Sequence, residues 1–312
     1  MAQNKNMREA YGLALVALGK KNWNVVALEA DLGKSTRSVL FKEAFPDRFF
    51  EMGIAEQNMT STAAGLALAG KIPFCHSFAV FAAGRAYDQL RNSVCIPNLK
   101  VRVCGSSSGL SDFGDGKTHQ CVEDMSIMRA LPNMTVLCPM DSEETARMVA
   151  ALEDWDGPAY IRINRNDLPL QYPESEPYRI GKVTRLREGK DAVVFACGVM
   201  ASLALEAAEH LAPQGVSVRV VNVSTIKPLD RAAIIGEAAG MKAIVTAEEH
   251  TVVGGLGSAV VEALRAVAHA PVEFVGIQDQ FGISALTYPE IMVHFDLTAA
   301  KIEQTLRTIL PR

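Results

Sequence analysis

Gly53-Ile54-Ala55-Glu56-Gln57-Asn58-Met59-Thr60-Ser61-Thr62-Ala63-Ala64-Gly65-Leu66-Ala67-Leu68-Ala69-Gly70, running on into Ile72-Pro73-Phe74-Cys75, is the stretch that decides the fold. A small-residue helix over about 55–69 stops at a glycine and gives way to a short apolar run of the kind that forms a buried strand. The same alternation extends both ways. Before it come a helical pattern over 8–20 and Val25-Val26-Ala27-Leu28; after it come a helix near 82–94, Val101-Arg102-Val103-Cys104, Thr135-Val136-Leu137-Cys138, a helix near 142–152 and Ala159-Tyr160-Ile161-Arg162. Strands alternating with helices predict an α/β fold, a parallel sheet covered by helices on both faces.

The pattern breaks over 166–178, where three prolines and polar residues have the composition of a linker. A second α/β alternation starts near 180, with strands at 191–196, 216–221 and 243–246, helices near 200–211 and after Gly254-Gly255-Leu256-Gly257, and a last helix over about 298–309. The expected division is a first domain over 1–165, a linker over 166–179 and a second domain over 180–312. No short internal repeat or low-complexity tract is present.

With 312 residues, 49% hydrophobic, 21% charged and a net charge of −4, the chain has material for a dense core and no general attraction for nucleic acid or anionic membranes. Its first residues lack the apolar core of a secretion signal, and no apolar run reaches the roughly 18 residues of a membrane span, so a cytoplasmic protein is expected. The six cysteines form no Cys-x-x-Cys pair and read as reduced core residues, with no metal site.

Several clusters have the residue types that carry chemistry. Gly114-Asp115-Gly116 opens like a diphosphate and metal motif, but no Asn-Asn pair follows; Asp141-Ser142-Glu143-Glu144-Thr145 stands there instead. Gly254-Gly255-Leu256-Gly257 precedes an apolar helix, either as an anion cradle or as a tight turn. Asp115-Gly116-Lys117-Thr118-His119-Gln120 is a polar loop after a strand, where parallel sheets place ligand groups. Alone, Glu56 would be an acid complementing a helix dipole. The small-sided helix behind it suits close packing across a subunit interface, which would bury the carboxyl.

Taken in order, six stations resemble the transketolase family, specifically the C-terminal chain of transketolases split into two polypeptides. They are Leu28-Glu29-Ala30-Asp31-Leu32, Phe45-Pro46-Asp47-Arg48-Phe49-Phe50, Gly53 to Met59, Phe78-Ala79-Val80-Phe81, Asp115 to Gln120, and Glu248-Glu249-His250 running into Gly254-Gly255-Leu256-Gly257. The resemblance implies a parallel-sheet pyrimidine-binding domain for thiamine diphosphate, followed by a smaller transketolase C-terminal-like domain. It also implies that a partner chain, the N-terminal subunit with the diphosphate-binding domain, holds the diphosphate and Mg²⁺. Two copies of each chain would form a heterotetramer.

Glu56 matches the glutamate that hydrogen-bonds the aminopyrimidine and promotes its imino tautomer. Phe78 and Phe81 match the aromatic residues packed on that ring, though two phenylalanines on one helical face are equally a core pattern. Asp31 matches a residue near the cofactor. On the substrate side, His119 and Asp115 match groups that bind sugar hydroxyls, His119 with a part in proton movement, while Arg8, Ser35 and Arg165 match phosphate-binding positions suited to arginine's planar fork. Ser107 stands where the family carries a phosphate-contacting histidine, and Gly114 where it carries a glutamate. His76 either faces the cofactor or fills the core. The implied activity is transfer of a two-carbon ketol unit from a ketose phosphate to an aldose phosphate. The alternatives are the beta subunit of a 2-oxo acid dehydrogenase, a synthase joining pyruvate to glyceraldehyde phosphate, and a noncatalytic scaffold.

Overall fold

The structure, a computed structural model, describes residues 4–173 and 175–311. Its larger sheet has seven strands in the order Thr225–Lys227, Thr135–Leu137, Ala159–Ile163, Arg102–Ser106, Ile72–Phe78, Val25–Glu29 and Phe49–Glu51. All run parallel except Thr225–Lys227, which pairs antiparallel at one edge. The alternation of the strands sorts their side chains onto two faces. Ala27, Phe74, Cys104 and Ile161 pack towards the helices Met7–Lys21 and Ser142–Ala151, while Leu28, Cys75, Val103 and Tyr160 pack on the side of Met59 and Ala63 in the helix Glu56–Leu68.

The second sheet has five strands ordered Val272–Ile277, Ala243–Thr251, Ala192–Ala196, Val218–Asn222 and Thr184–Arg187, parallel apart from the last. One short pairing ties the linker stretch to the first half, and another ties the two halves together. Asp167–Pro169, within the stretch of linker composition, pairs antiparallel with Asn4–Asn6, and Thr225–Lys227 leaves the second half to pair with Thr135–Leu137.

The expected helix near 82–94 is instead π-helical over Val80–Arg85 and Leu90–Cys95, with a short α-helical piece at Tyr87–Gln89 between them. Such wide turns are rare and concentrate at functional sites. His76 fills the core, fully buried between Tyr11 Oη and the Leu28 carbonyl, each 2.9 Å away. All six cysteines are buried and free.

Glycine 254 to glycine 257 is a turn and not an anion cradle. The backbone N–H groups of Leu256 and Gly257 donate to Glu248 at 2.7 and 2.8 Å, so the chain's own carboxylate fills the helix N-terminus. A Cβ at position 255 would collide with that carboxylate, which explains the glycine.

Candidate active site

Because six strands are parallel, the loops that follow them gather at one edge of the sheet, the usual place for ligands in open α/β folds. Register fixes which loops meet: Glu29 is level with Glu51 and His76, and Phe78 with Ser106 and Ile163. Asp31, Glu56, Phe78, Ser107 and Arg165 therefore all emerge at the same edge.

Glu56 opens its helix with a carboxyl only 1% exposed. Arg85 Nη1 donates to its Oε2 at 2.7 Å and Ser77 Oγ to its Oε1 at 3.3 Å. The rings of Phe78 and Phe81 are stacked, with centroids 6.2 Å apart and planes inclined by 16°. His119 meets both edge-on, at 6.1 and 5.6 Å. Thus the carboxyl, the two aromatic rings and the imidazole, far apart in sequence, form one group. Arg85 is the member that motif reading missed. It lies four residues after Phe81, with its guanidinium carbon 4.6 Å from that ring's centroid, and its side chain remains 45% exposed.

A second group gathers cations. Arg8 Nη1 donates to the Ser35 carbonyl at 2.9 Å, and Arg165 Nη1 pairs with Asp112 Oδ1 at 2.6 Å. Burial, followed by the charges of Arg165 and Arg37, lowers the pKa of Arg8 below the usual arginine value. Positive groups held together in this way favour an anion. Arg37 too was not singled out from the sequence. Glu29, pushed up to about 7 by burial, organises the neighbouring loop. Its carboxyl accepts from the N–H groups of Ala30 and Leu32 at 3.0 and 3.2 Å, from Thr36 Oγ1 at 2.7 Å and from Ser38 Oγ.

The remaining candidates are more scattered. Asp31 is exposed, has φ 62°, and lines a cavity of about 310 Å³ with Ser35, Lys34, Lys42 and Glu51. Asp115 is exposed on its loop, which the second half braces through Ala285 N–H to the Phe113 carbonyl and Gln120 Nε2 to the Ile283 carbonyl, both 2.9 Å. Ser107 is fully buried with φ 53°, and its hydroxyl has no partner among the described residues. A larger cavity of about 490 Å³ lies between Val122, Glu123, Thr251 and Phe281 and includes none of these residues. The Glu56 group is therefore set apart by its chemistry and not by cavity size.

Among the described residues, no group of three or more His, Cys, Asp or Glu is arranged to hold a metal ion. No described helix is long and apolar enough to cross a membrane.

Comparison with known proteins adds the family context. Residues 3–171 match the transketolase pyrimidine binding domain, and residues 181–302 match the transketolase C-terminal domain. The chain is 40% identical, over 98% of its length and 95% of the relative's, to the 6-deoxy-6-sulfo-D-fructose transketolase subunit SqwH of Clostridium sp. (strain MSTE9). It is 40% identical over 81% of its length to the transketolase of Mus musculus, covering 41% of that protein. A solved structure described as a split gene transketolase, inactive beta4 tetramer, superposes with TM-score 0.90 at 44% identity and 99% coverage of both chains.

Proposed function

We propose, from the premise that this chain belongs to the transketolase family, that it is the pyrimidine-side subunit of a split, thiamine-diphosphate-dependent transketolase. The reaction is transfer of a two-carbon ketol unit from a ketose phosphate to an aldose phosphate. It requires a partner, the N-terminal subunit, that holds the diphosphate and Mg²⁺, in a cytoplasmic heterotetramer with two copies of each chain. The domain limits at 165 and 180 belong to the same reading.

The observation that carries this reading is the buried Glu56 carboxyl beside the stacked Phe78 and Phe81 rings. A planar aminopyrimidine fits there, because Arg85, also planar and rich in N–H groups, already contacts both the carboxyl and the Phe81 ring. When bound, the cofactor would supply a carbon nucleophile for the ketose carbonyl, and Glu56, Phe78 and Phe81 would hold its pyrimidine ring. Glu56, its side chain only 1% exposed, hydrogen-bonds the pyrimidine ring nitrogen. Phe78 and Phe81 orient the ring, and Asp31 lies towards the cofactor's side. His119 and Asp115 bind sugar hydroxyls, and His119 moves a proton as the donor bond breaks. Arg8, Ser35, Arg165 and Ser107 form the site for the terminal phosphate.

A sulfonated ketose is a second substrate class worth testing, since the SqwH relative is named for one and the Arg8 and Arg165 cluster suits either anion. The deciding experiment co-expresses the chain with a diphosphate-domain partner and assays ketol transfer. Pyruvate decarboxylation without ketol transfer would favour the 2-oxo acid dehydrogenase reading instead.

A further inference from the structure

Arg85 has no part in the chemistry just described, yet it holds the two features the cofactor's ring needs. Its Nη1 occupies the Glu56 carboxyl at 2.7 Å, and its guanidinium lies 4.6 Å from the centre of the Phe81 ring. A guanidinium and an aminopyrimidine are chemically alike at this contact: each is a flat N–C–N unit with N–H donors at its edge and a π-face for stacking. Glu56 is buried, whereas the Arg85 side chain is 45% exposed, so the arginine covers the carboxyl from the open side and can swing outwards on its flexible stem. The wide-turned segment Val80–Arg85 returns Arg85 to the side of Phe81.

We propose that Arg85 is a placeholder for the aminopyrimidine. This rests on the functional reading above. In the cofactor-free chain it satisfies the buried Glu56 carboxyl, which would otherwise lack its strongest partner. Entry of the pyrimidine displaces it into solvent, and cofactor binding must therefore break the Arg85–Glu56 contact. Arg85 is a positioning residue and its effect runs through Glu56.

A structural role and a placeholder role give opposite signs. Calorimetric titration of thiamine diphosphate with Mg²⁺ into the full chain assembled with its diphosphate-domain partner separates them. In Arg85→Gln the Kd is expected to tighten about fivefold, a modest gain because the contact is partly screened by solvent. Arg85→Met, which keeps the packing volume without donors, should move the same way, and Arg85→Lys should return towards the wild type. In a Glu56→Gln background the Arg85→Gln change is expected to do little. Loss of a long-range positive charge would act in both backgrounds, so the difference isolates the pair. Unchanged or weaker binding in Arg85→Gln and Arg85→Met, or an equal effect in both backgrounds, would overturn the inference. Absence of binding by the wild-type assembly would overturn the functional reading itself.

Discussion

Two regions of this chain bury charge, and they close it off differently. At the junction of the two halves, Arg162 Nε donates to Asp124 Oδ2 at 3.0 Å, with side chains 3% and 0% exposed. Tyr160 Oη adds a bond to Asp124 at 2.8 Å, and the second nitrogen of Arg162 reaches the Glu249 carbonyl at 2.8 Å. Glu249 in turn accepts from Leu110 N–H at 2.8 Å and Asn164 Nδ2 at 3.2 Å. Every member of that network is answered by another buried member. At the sheet edge the buried Glu56 carboxyl has Ser77 Oγ on one oxygen and, on the other, its charged partner Arg85, which is half in solvent. A buried charge enclosed by buried partners is architecture, and one whose partner can leave is available to a ligand.

The contrast can be broken most directly at Glu56. Glu56→Ala should lower ketol transfer by the assembled enzyme by roughly two to four orders of magnitude, with the urea midpoint of the chain little changed. Full activity in that variant would remove Glu56 from the chemistry.

Asp124→Asn should do the reverse. It strands the Arg162 charge in the interior, and a loss of about 3–5 kcal/mol in unfolding free energy is expected from denaturant titration. Activity per folded molecule should hold. Ordinary stability with lost activity would make the junction part of the catalytic site.

A smaller effect comes from pH. Burial pushes Glu249 up to about 7. The folded chain therefore holds this proton more tightly than the unfolded chain, and the stabilising contribution, present at low pH, is lost as pH rises from about 4.5 to about 7. His250, lowered to about 4 mainly by burial, has the opposite sign, and its contribution is lost as pH falls from about 6.5 to about 4. Glu249→Gln should reduce the stability difference between pH 5 and pH 8 by about 2–3 kcal/mol. An unchanged pH slope would show that Glu249 does not titrate in that window.

The smallest expected change concerns the anion cluster. Arg8→Ala should raise KM about tenfold for a phosphorylated ketose, equivalent to about 1.4 kcal/mol. KM for its unphosphorylated counterpart should be unaltered. Equal effects on both substrates would place Arg8 outside the phosphate site.

Much of the architecture was legible because helix and strand periods differ: the 25–28, 72–75 and 159–162 runs all fall within observed parallel strands. Thr225–Lys227 was not legible, since a strand of three residues carries almost no period and its partner lies in the other half. The wide turns after Phe78 escaped for a related reason, because their spacing fits neither the strand nor the α-helix period. For the site, ordered motifs pointed to Glu56, Phe78, Phe81 and His119, which the fold brings together. Arg85 and Arg37 carried no signal of their own, as an arginine on a helical segment reads like any solvated charge. Only contact geometry distinguishes them. The Glu248-Glu249-His250 station belongs to the buried network and a helix cap, so part of what made the family pattern legible is packing at the domain junction.

Under the proposed function, Glu56 prepares a cofactor that only the assembly with a partner chain holds. Calorimetric titration of thiamine diphosphate and Mg²⁺ into the isolated chain, and then into the chain assembled with its diphosphate-domain partner, tests it most directly. The expected result is very weak binding to the isolated chain and binding at least about a hundredfold tighter in the assembly, a difference of about 2.7 kcal/mol or more. Equally tight binding in both, or none in either, would contradict it.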